Sequence, residues 1–280
     1  MALHISITIA YIVVLVASLF FIVRTEQTPT LEGSDVDVIE FYLNLEYLEA
    51  EFFLFGCTGE GLDVAAPELT QGGPSPIGAR LATFETLNML LVFMNFALKE
   101  IGHLRAIKNI VRGFPRPLLN LSSTTFGQVM DNAFGRPLHP PFDPYASEIN
   151  YILASYVIPY VTLTGYVGAN PELQNATSKK LVAGLLGVKS IEDGYIRELL
   201  LGNTGLKDEG LVVPILQGAE GKVSWNILSG DKDSLAYPRT PHEILRILYG
   251  GGNEHVSGGF FPNGANGRIA RSYLYSLSLS

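Results

Sequence analysis

Apolar residues recur at helical spacing along four long stretches of this chain. In the first, Ile39, Tyr42, Leu43, Ala50 and Phe53 share one face of a 3.6-residue period. Ser34 offers a cap, and Asp35 and Asp37 suit the positive end of the helix dipole. This predicts a helix to about Phe55, ending near Gly56. Residues 62–78 are rich in Pro and Gly and read as a loop. A second helix is predicted over about 83–112, halted by Gly113 and Pro115; it is apolar on nearly every side, as a buried helix is. Asp143 before Pro144 marks the start of a third, running to about Gly168 with a kink at Pro159. The fourth is predicted over about 177–201.

The connection at 114–142 is long, with a short amphipathic helix near 124–133 and a Pro-rich exit in which His139 is expected at the surface. Four long helices with one long middle crossover predict a mainly α fold, a ferritin-like four-helix bundle over residues 35–201. Residues 202–280 are dense in Gly and Pro and predict an irregular C-terminal appendage packed on the bundle, with room for a small hairpin. Its one clear helix is 240–249, where Thr240, Pro241 and Glu243 form a capping box.

Residues 5–23 carry no charge and are closed by Arg24. A cleaved secretory signal over 1–25 is the stronger expectation and a membrane anchor formed by 5–23 the alternative. Residues 26–34 then form a flexible lead-in, and a secreted, extracellular location (cell wall or apoplast) is expected. Sequons at Asn120 and Asn175 suit that route. The chain has 280 residues, 47% hydrophobic and 16% charged, which excludes disorder throughout. Its net charge of −8 excludes the basic footprint of a nucleic-acid binder. A single cysteine, Cys57, excludes a disulfide framework and is expected to be buried.

Two polar residues interrupt the apolar stripe of the second helix. Phe93, Phe96, Ala97, Glu100, His103, Leu104 and Ile107 lie together, so Glu100 and His103 project from one buried face. Buried carboxylates and imidazoles need partners, and this E-x-x-H spacing supplies ligands in carboxylate-bridged di-metal bundles. On the first helix Glu46 sits within the apolar face. Glu49, one turn on, and Glu51, pointing outward, are expected in solvent when that helix is taken alone.

The fourth helix lacks a second E-x-x-H. Its stretch at 189–192 places Lys189 before Glu192, and a protonated lysine cannot ligate a metal. Lys189 is therefore expected to neutralise Glu46 or Glu100, in a buried polar cluster of Lys189, Glu192 and Glu49. Tyr145, Tyr151, Tyr156, Tyr160 and Tyr166 are expected to pack in the core with bonded hydroxyls. The Asn253-Glu254-His255 segment is expected to be a solvated loop.

Residues 44–53 (NLEYLEAEFF), 100–107 (EIGHLRAI), 113–117 (GFPRP), 154–161 (ASYVIPYV), 234–237, 239–241 and 252–256 resemble the plant desiccation-related proteins of the PCC13-62 type, a ferritin-like family. The likeness covers about 35–274. It implies a secretory leader, a ferritin-like domain and an association with drying stress. It also implies departures: a helix-three Glu replaced at Pro159, a second E-x-x-H replaced at Lys189 and Glu192, and a shortened join around 199–205. Glu46, Glu100 and His103 remain of the metal-ligand set.

The leading expectation is a non-enzymatic stress-associated protein with a degenerate metal site and no cofactor. The first alternative is a redox protein holding iron or manganese at Glu46, Glu100 and His103. The second is a cell-wall or membrane-surface binding module using Trp225, Phe260 and Phe261. No nucleic-acid partner and no defined small-molecule substrate are expected, and nothing in the sequence signals an oligomeric state.

Overall fold

A computed structural model describes residues 33–204 and 235–275. Four long helices form the bundle: α1 (Gly33–Thr58), α4 (Leu87–Lys108), α6 (Glu148–Ala169) and α7 (Ala176–Thr204). Helix α1 packs most extensively on α4, and α6 on α7, while α1 also meets α6. The α4–α6 crossover contains α5 (Ser123–Phe134), and the α1–α4 link contains two single turns, α2 (Leu62–Ala65) and α3 (Pro67–Thr70). The ferritin-like bundle with a long middle crossover is thus the observed architecture. No strand occurs among the described residues; two isolated bridges are the only β pairings there.

Helix α1 is buried on every side from Phe41 to Leu54, not on one stripe. The other bundle helices cover part of it. The C-terminal segment covers more, through α9 (Arg268–Tyr275), a helix that the sequence pattern did not reveal. Asn44 Nδ2 donates to the Asn266 carbonyl and Asn266 N–H returns a bond to Asn44 Oδ1, each at 2.8 Å. The segment is therefore an integral layer of the fold. It lies close to α6 because Gly168 has no side chain: a Cβ there would meet the Arg239 carbonyl oxygen at 2.2 Å. Arg239 N–H donates to the Thr164 carbonyl at 2.9 Å. Helix α8 (Pro241–Leu248) follows, its capping box shown by Thr240 N–H donating to the Glu243 carboxylate at 2.8 Å. The expected hairpin does not occur among the described residues.

Other boundaries differ for visible reasons. Ser34 lies inside α1 rather than capping it. Asp35 reaches across the bundle and accepts the N–H groups of Gln174 and Asn175, both at 2.9 Å, beside the start of α7. Asp143 accepts from Tyr145 N–H at 3.0 Å and shapes a turn, so α6 begins five residues later, capped by Ser147. Helix α4 starts at Leu87, capped by Thr86. Glu148 ties these two starts together by accepting from Glu85 and Thr86 N–H at 2.8 and 3.2 Å. Helix α6 continues through Pro159; it is long and apolar enough to cross a membrane, but the bundle buries it. Phe52 stacks on Tyr151 at 4.7 Å and Phe93 meets Tyr151 edge-on at 5.0 Å. Each such buried ring contributes about 1.5–3 kcal/mol. Cys57 is buried, and its burial pushes the thiol up to about 12.

Candidate metal centre

Helical spacing brings four elements to one point. Helix α1 supplies Glu46 and Glu49, α4 supplies Glu100 and His103, α6 supplies Tyr166, and α7 supplies Lys189 and Glu192. Every pair on one helix is three residues apart and so faces the same way. The four carboxylates and Lys189 are fully buried, and His103 retains 9% exposure, forming the edge of the site nearest solvent.

Lys189 Nζ lies 2.6 Å from Glu49 Oε2 and 2.6 Å from Glu100 Oε1. It is 3.7 Å from Glu46 and 3.8 Å from Glu192. The sequence-derived cluster of Lys189, Glu192 and Glu49 is brought together, and Glu49 is buried rather than solvated. Lys189 meets Glu100 directly and Glu46 at longer range. His103 Nδ1 stands 3.1 Å from Glu46 Oε2 and 3.3 Å from Glu100 Oε2. Facing two acceptors, that nitrogen carries a hydrogen. Tyr166 O–H donates to Glu46 Oε1 at 2.6 Å. Sequence reasoning placed Tyr166 among packing tyrosines and missed this role. The signal was available in hindsight: Glu46 needed a donor, and α6 offered no carboxylate at that height.

The electrostatics follow from burial and neighbours. Burial opposes ionisation of Glu46, but Lys189 and His103 together hold it well below the usual carboxylate range. For Glu49 burial dominates, and its carboxyl is raised to about 7 despite Lys189. Burial likewise raises Glu100, aided by the charges of Glu46 and Glu49. Burial works against a charged His103, yet Glu100 and Glu46 raise its imidazole to about 10. Lys189 is raised for the same reason, its burial overcome by Glu100, Glu46, Glu49 and Glu192. Four carboxyl groups thus share one ammonium and one imidazole.

Single ligand atoms of Glu46, Glu100 and His103 lie within 4.8 Å of one another, and so do those of Glu49, Glu100 and Glu192. Three donors bound at about 2.0–2.3 Å to one ion span such distances, and carboxylates with imidazole suit manganese or iron. The first group fits an ion once His103 releases a proton. The second group holds Lys189 in its midst.

Other predicted residues lie elsewhere. Glu51, expected outside, is fully buried and ion-paired with Arg116, whose Nη2 also donates to both Asp63 oxygens at 2.9 and 2.8 Å. An arginine in the 113–117 segment thus drew the acid inward. Glu254 is nearly buried and accepts from Arg246 at 2.6 and 3.2 Å, so its segment is anchored rather than solvated. Phe260 and Phe261 are buried and offer no surface rings, while Trp225 lies outside the described residues. Asn120 and Asn175 are half-exposed; their side-chain oxygens accept from Ser122 and Thr177 N–H at 3.1 and 2.8 Å. Residues 5–23 and the join after Thr204 lie outside the described residues.

Residues 34–202 match the model of the ferritin-like domain. The chain is 47% identical over 278 aligned residues to a protein of Nesocodon mauritianus named ferritin-like catalase Nec2, covering 89% of each chain. It is 44% identical over 288 aligned residues to the desiccation-related protein PCC13-62 of Craterostigma plantagineum, covering 93% of this chain and 92% of that one. No solved structure matches.

Proposed function

This chain belongs to the ferritin-like domain family, and from that premise we propose that it is a stress-associated redox protein that binds one manganese or iron ion and disproportionates hydrogen peroxide to water and dioxygen. The observation that carries this is the buried convergence of Glu46, Glu100 and His103, with their ligand atoms within 4.8 Å of one another. The relative named a catalase, 47% identical across most of both chains, supports the choice of peroxide. Two hydrogen peroxide molecules yield two waters and one dioxygen, so no outside reductant is needed.

A bound ion would supply the redox change that carboxylates and imidazoles cannot. The rest falls to the chain. Tyr166 O–H fixes Glu46 Oε1 and leaves Glu46 Oε2 directed at the site. Lys189 holds Glu100 Oε1, leaving Oε2 beside His103. His103, the least buried member, lies nearest solvent and gives up a proton when an ion enters. Phe93, Ala97 and Leu104, buried on the same stripe of α4 as Glu100 and His103, keep that face apolar.

The test is elemental analysis together with oxygen evolution from peroxide by protein loaded with Mn²⁺ or Fe²⁺. One tightly held ion and steady oxygen release, both lost in Glu100→Gln and His103→Ala, are expected. Loaded protein that keeps no ion and releases no oxygen overturns the proposal.

A second reading has its own observation. Lys189 and His103 already bond three of the four carboxylates, as a metal-free structural cluster would require. In that case the protein is a non-enzymatic stress protein, and folded, metal-free protein of full stability is its signature. Under either reading the charge-free run at 5–23 supports entry into the secretory route. A mature N-terminus beyond residue 23 is the expected result of sequencing the native protein.

A further inference from the structure

Glu49, Glu100 and Glu192 form a second buried triad around Lys189. Lys189 Nζ is within 2.6 Å of two of these acids and 3.8 Å from the third. Neither Glu192 oxygen accepts a hydrogen bond, and neither does Glu49 Oε1. Lys99, on the half-exposed rim, approaches Glu192 Oε1 only to 3.8 Å. The triad therefore holds more donor oxygens than the ammonium satisfies. A buried carboxylate without hydrogen bonds is costly, so this arrangement is unusual for a cluster built around lysine alone.

The two triads share Glu100, of which His103 and Lys189 contact different oxygens. We infer that Lys189 is a built-in cation standing in the second of two adjacent cation positions, that the native chain takes a single divalent first-row ion at Glu46, Glu100 and His103, and that neutral replacement of Lys189 opens the second position to another ion. An ammonium tethered to α7 pays no translational cost on entering the site and cannot be removed by a chelator. It carries one charge where a metal would carry two, and it leaves Glu192 beyond hydrogen-bonding distance. An ion would draw all three carboxylates to about 2.0–2.2 Å.

The inference builds on the proposed one-ion centre only for the native count; the change in count stands apart from it. Native protein and Lys189→Met are loaded with Mn²⁺, desalted and analysed for manganese per chain, with circular dichroism confirming the fold. The variant is expected to hold one ion more than the native protein, and Lys189→Met/Glu192→Gln to lose that extra ion. A native count of zero with a variant count of one supports Lys189 as the cation of the second position while overturning the one-ion centre. Equal counts in native protein and Lys189→Met, or two ions in the native protein, overturn the inference. Should Lys189→Met fail to fold, Glu192→Gln in the native background decides. An unchanged ion count supports a triad already filled by Lys189, and loss of an ion contradicts it.

Discussion

Lys189 on α7 and Glu100 on α4 meet at 2.6 Å in the bundle interior, with no exposed surface on either residue. This contact joins the α1–α4 pair to the α6–α7 pair through charge rather than packing. Removing the ammonium leaves carboxylates buried with one fewer cation, and such losses cost about 3–5 kcal/mol. Metal-free Lys189→Met is expected to unfold at correspondingly lower denaturant concentration in equilibrium denaturation. An unchanged midpoint contradicts a stabilising role for the pair.

Tyr166→Phe removes one donor from an ionised, buried acceptor and leaves the ring in place. Hydrogen bonds to charged groups are worth about 1.5–3 kcal/mol, and the loss of stability is expected in that range. Thermal unfolding of the metal-free protein reads it directly. A neutral effect means that Glu46 finds another donor.

Arg116 forms a separate ionic knot. It pairs with Glu51 on α1 and Asp63 on α2, and its Nε donates to the Pro74 carbonyl at 2.8 Å. Arg116→Met is expected to lose about 3–5 kcal/mol, since it strands a fully buried Glu51. The ion count of the centre is expected to stay at the native value, because none of these residues touches it. Denaturant titration and elemental analysis of one preparation check both statements.

The pH dependence of the metal-free protein has a definite sign. His103 is raised to about 10 in the folded state, above the roughly 6.5 of an unperturbed histidine. The folded protein then binds more protons than the unfolded chain, so the contribution is complete below about 6.5 and is lost as pH rises through about 10. Glu49, raised to about 7, adds a decline of the same sign from about pH 4.5 upward. Stability measured by denaturation is expected to fall from pH 6 to pH 9, and less so in His103→Gln. A rise over that interval contradicts the charge assignment.

Cys57 gives a simple control. Its thiol, raised to about 12 by burial, is expected to resist iodoacetamide at pH 8 in the native protein and to react in denaturant. Mass spectrometry reads the label. Rapid native labelling means that the α1 end opens readily.

The centre was legible in the sequence where its chemistry followed helix periodicity. Glu100 and His103, or Lys189 and Glu192, are fixed three apart on one helix, so an apolar stripe around them already implies burial. What periodicity does not encode is contact between distant segments. Glu51 looked solvent-facing because its partner Arg116 stands in a loop far along the chain. Tyr166 looked like packing because the acid it serves is on another helix. Helix α1 carries acids on several faces, which reads as solvent exposure until the C-terminal layer is known to cover it. Asp143 reads as a local helix start, but its carboxylate is drawn off by Tyr145 N–H, whereas Asp35 keeps its place in the first turn of α1 while also accepting from Gln174 and Asn175. The ferritin-like order of helices survived these errors because it depends on length and spacing alone.

The most direct measurement is a crystal structure of the native protein grown with Mn²⁺, with anomalous scattering collected at the manganese edge. One manganese peak among Glu46, Glu100 and His103, with the Lys189 ammonium still between Glu49 and Glu100, is the predicted result. Two manganese peaks with Lys189 displaced, or Lys189 turned out to solvent, would contradict it.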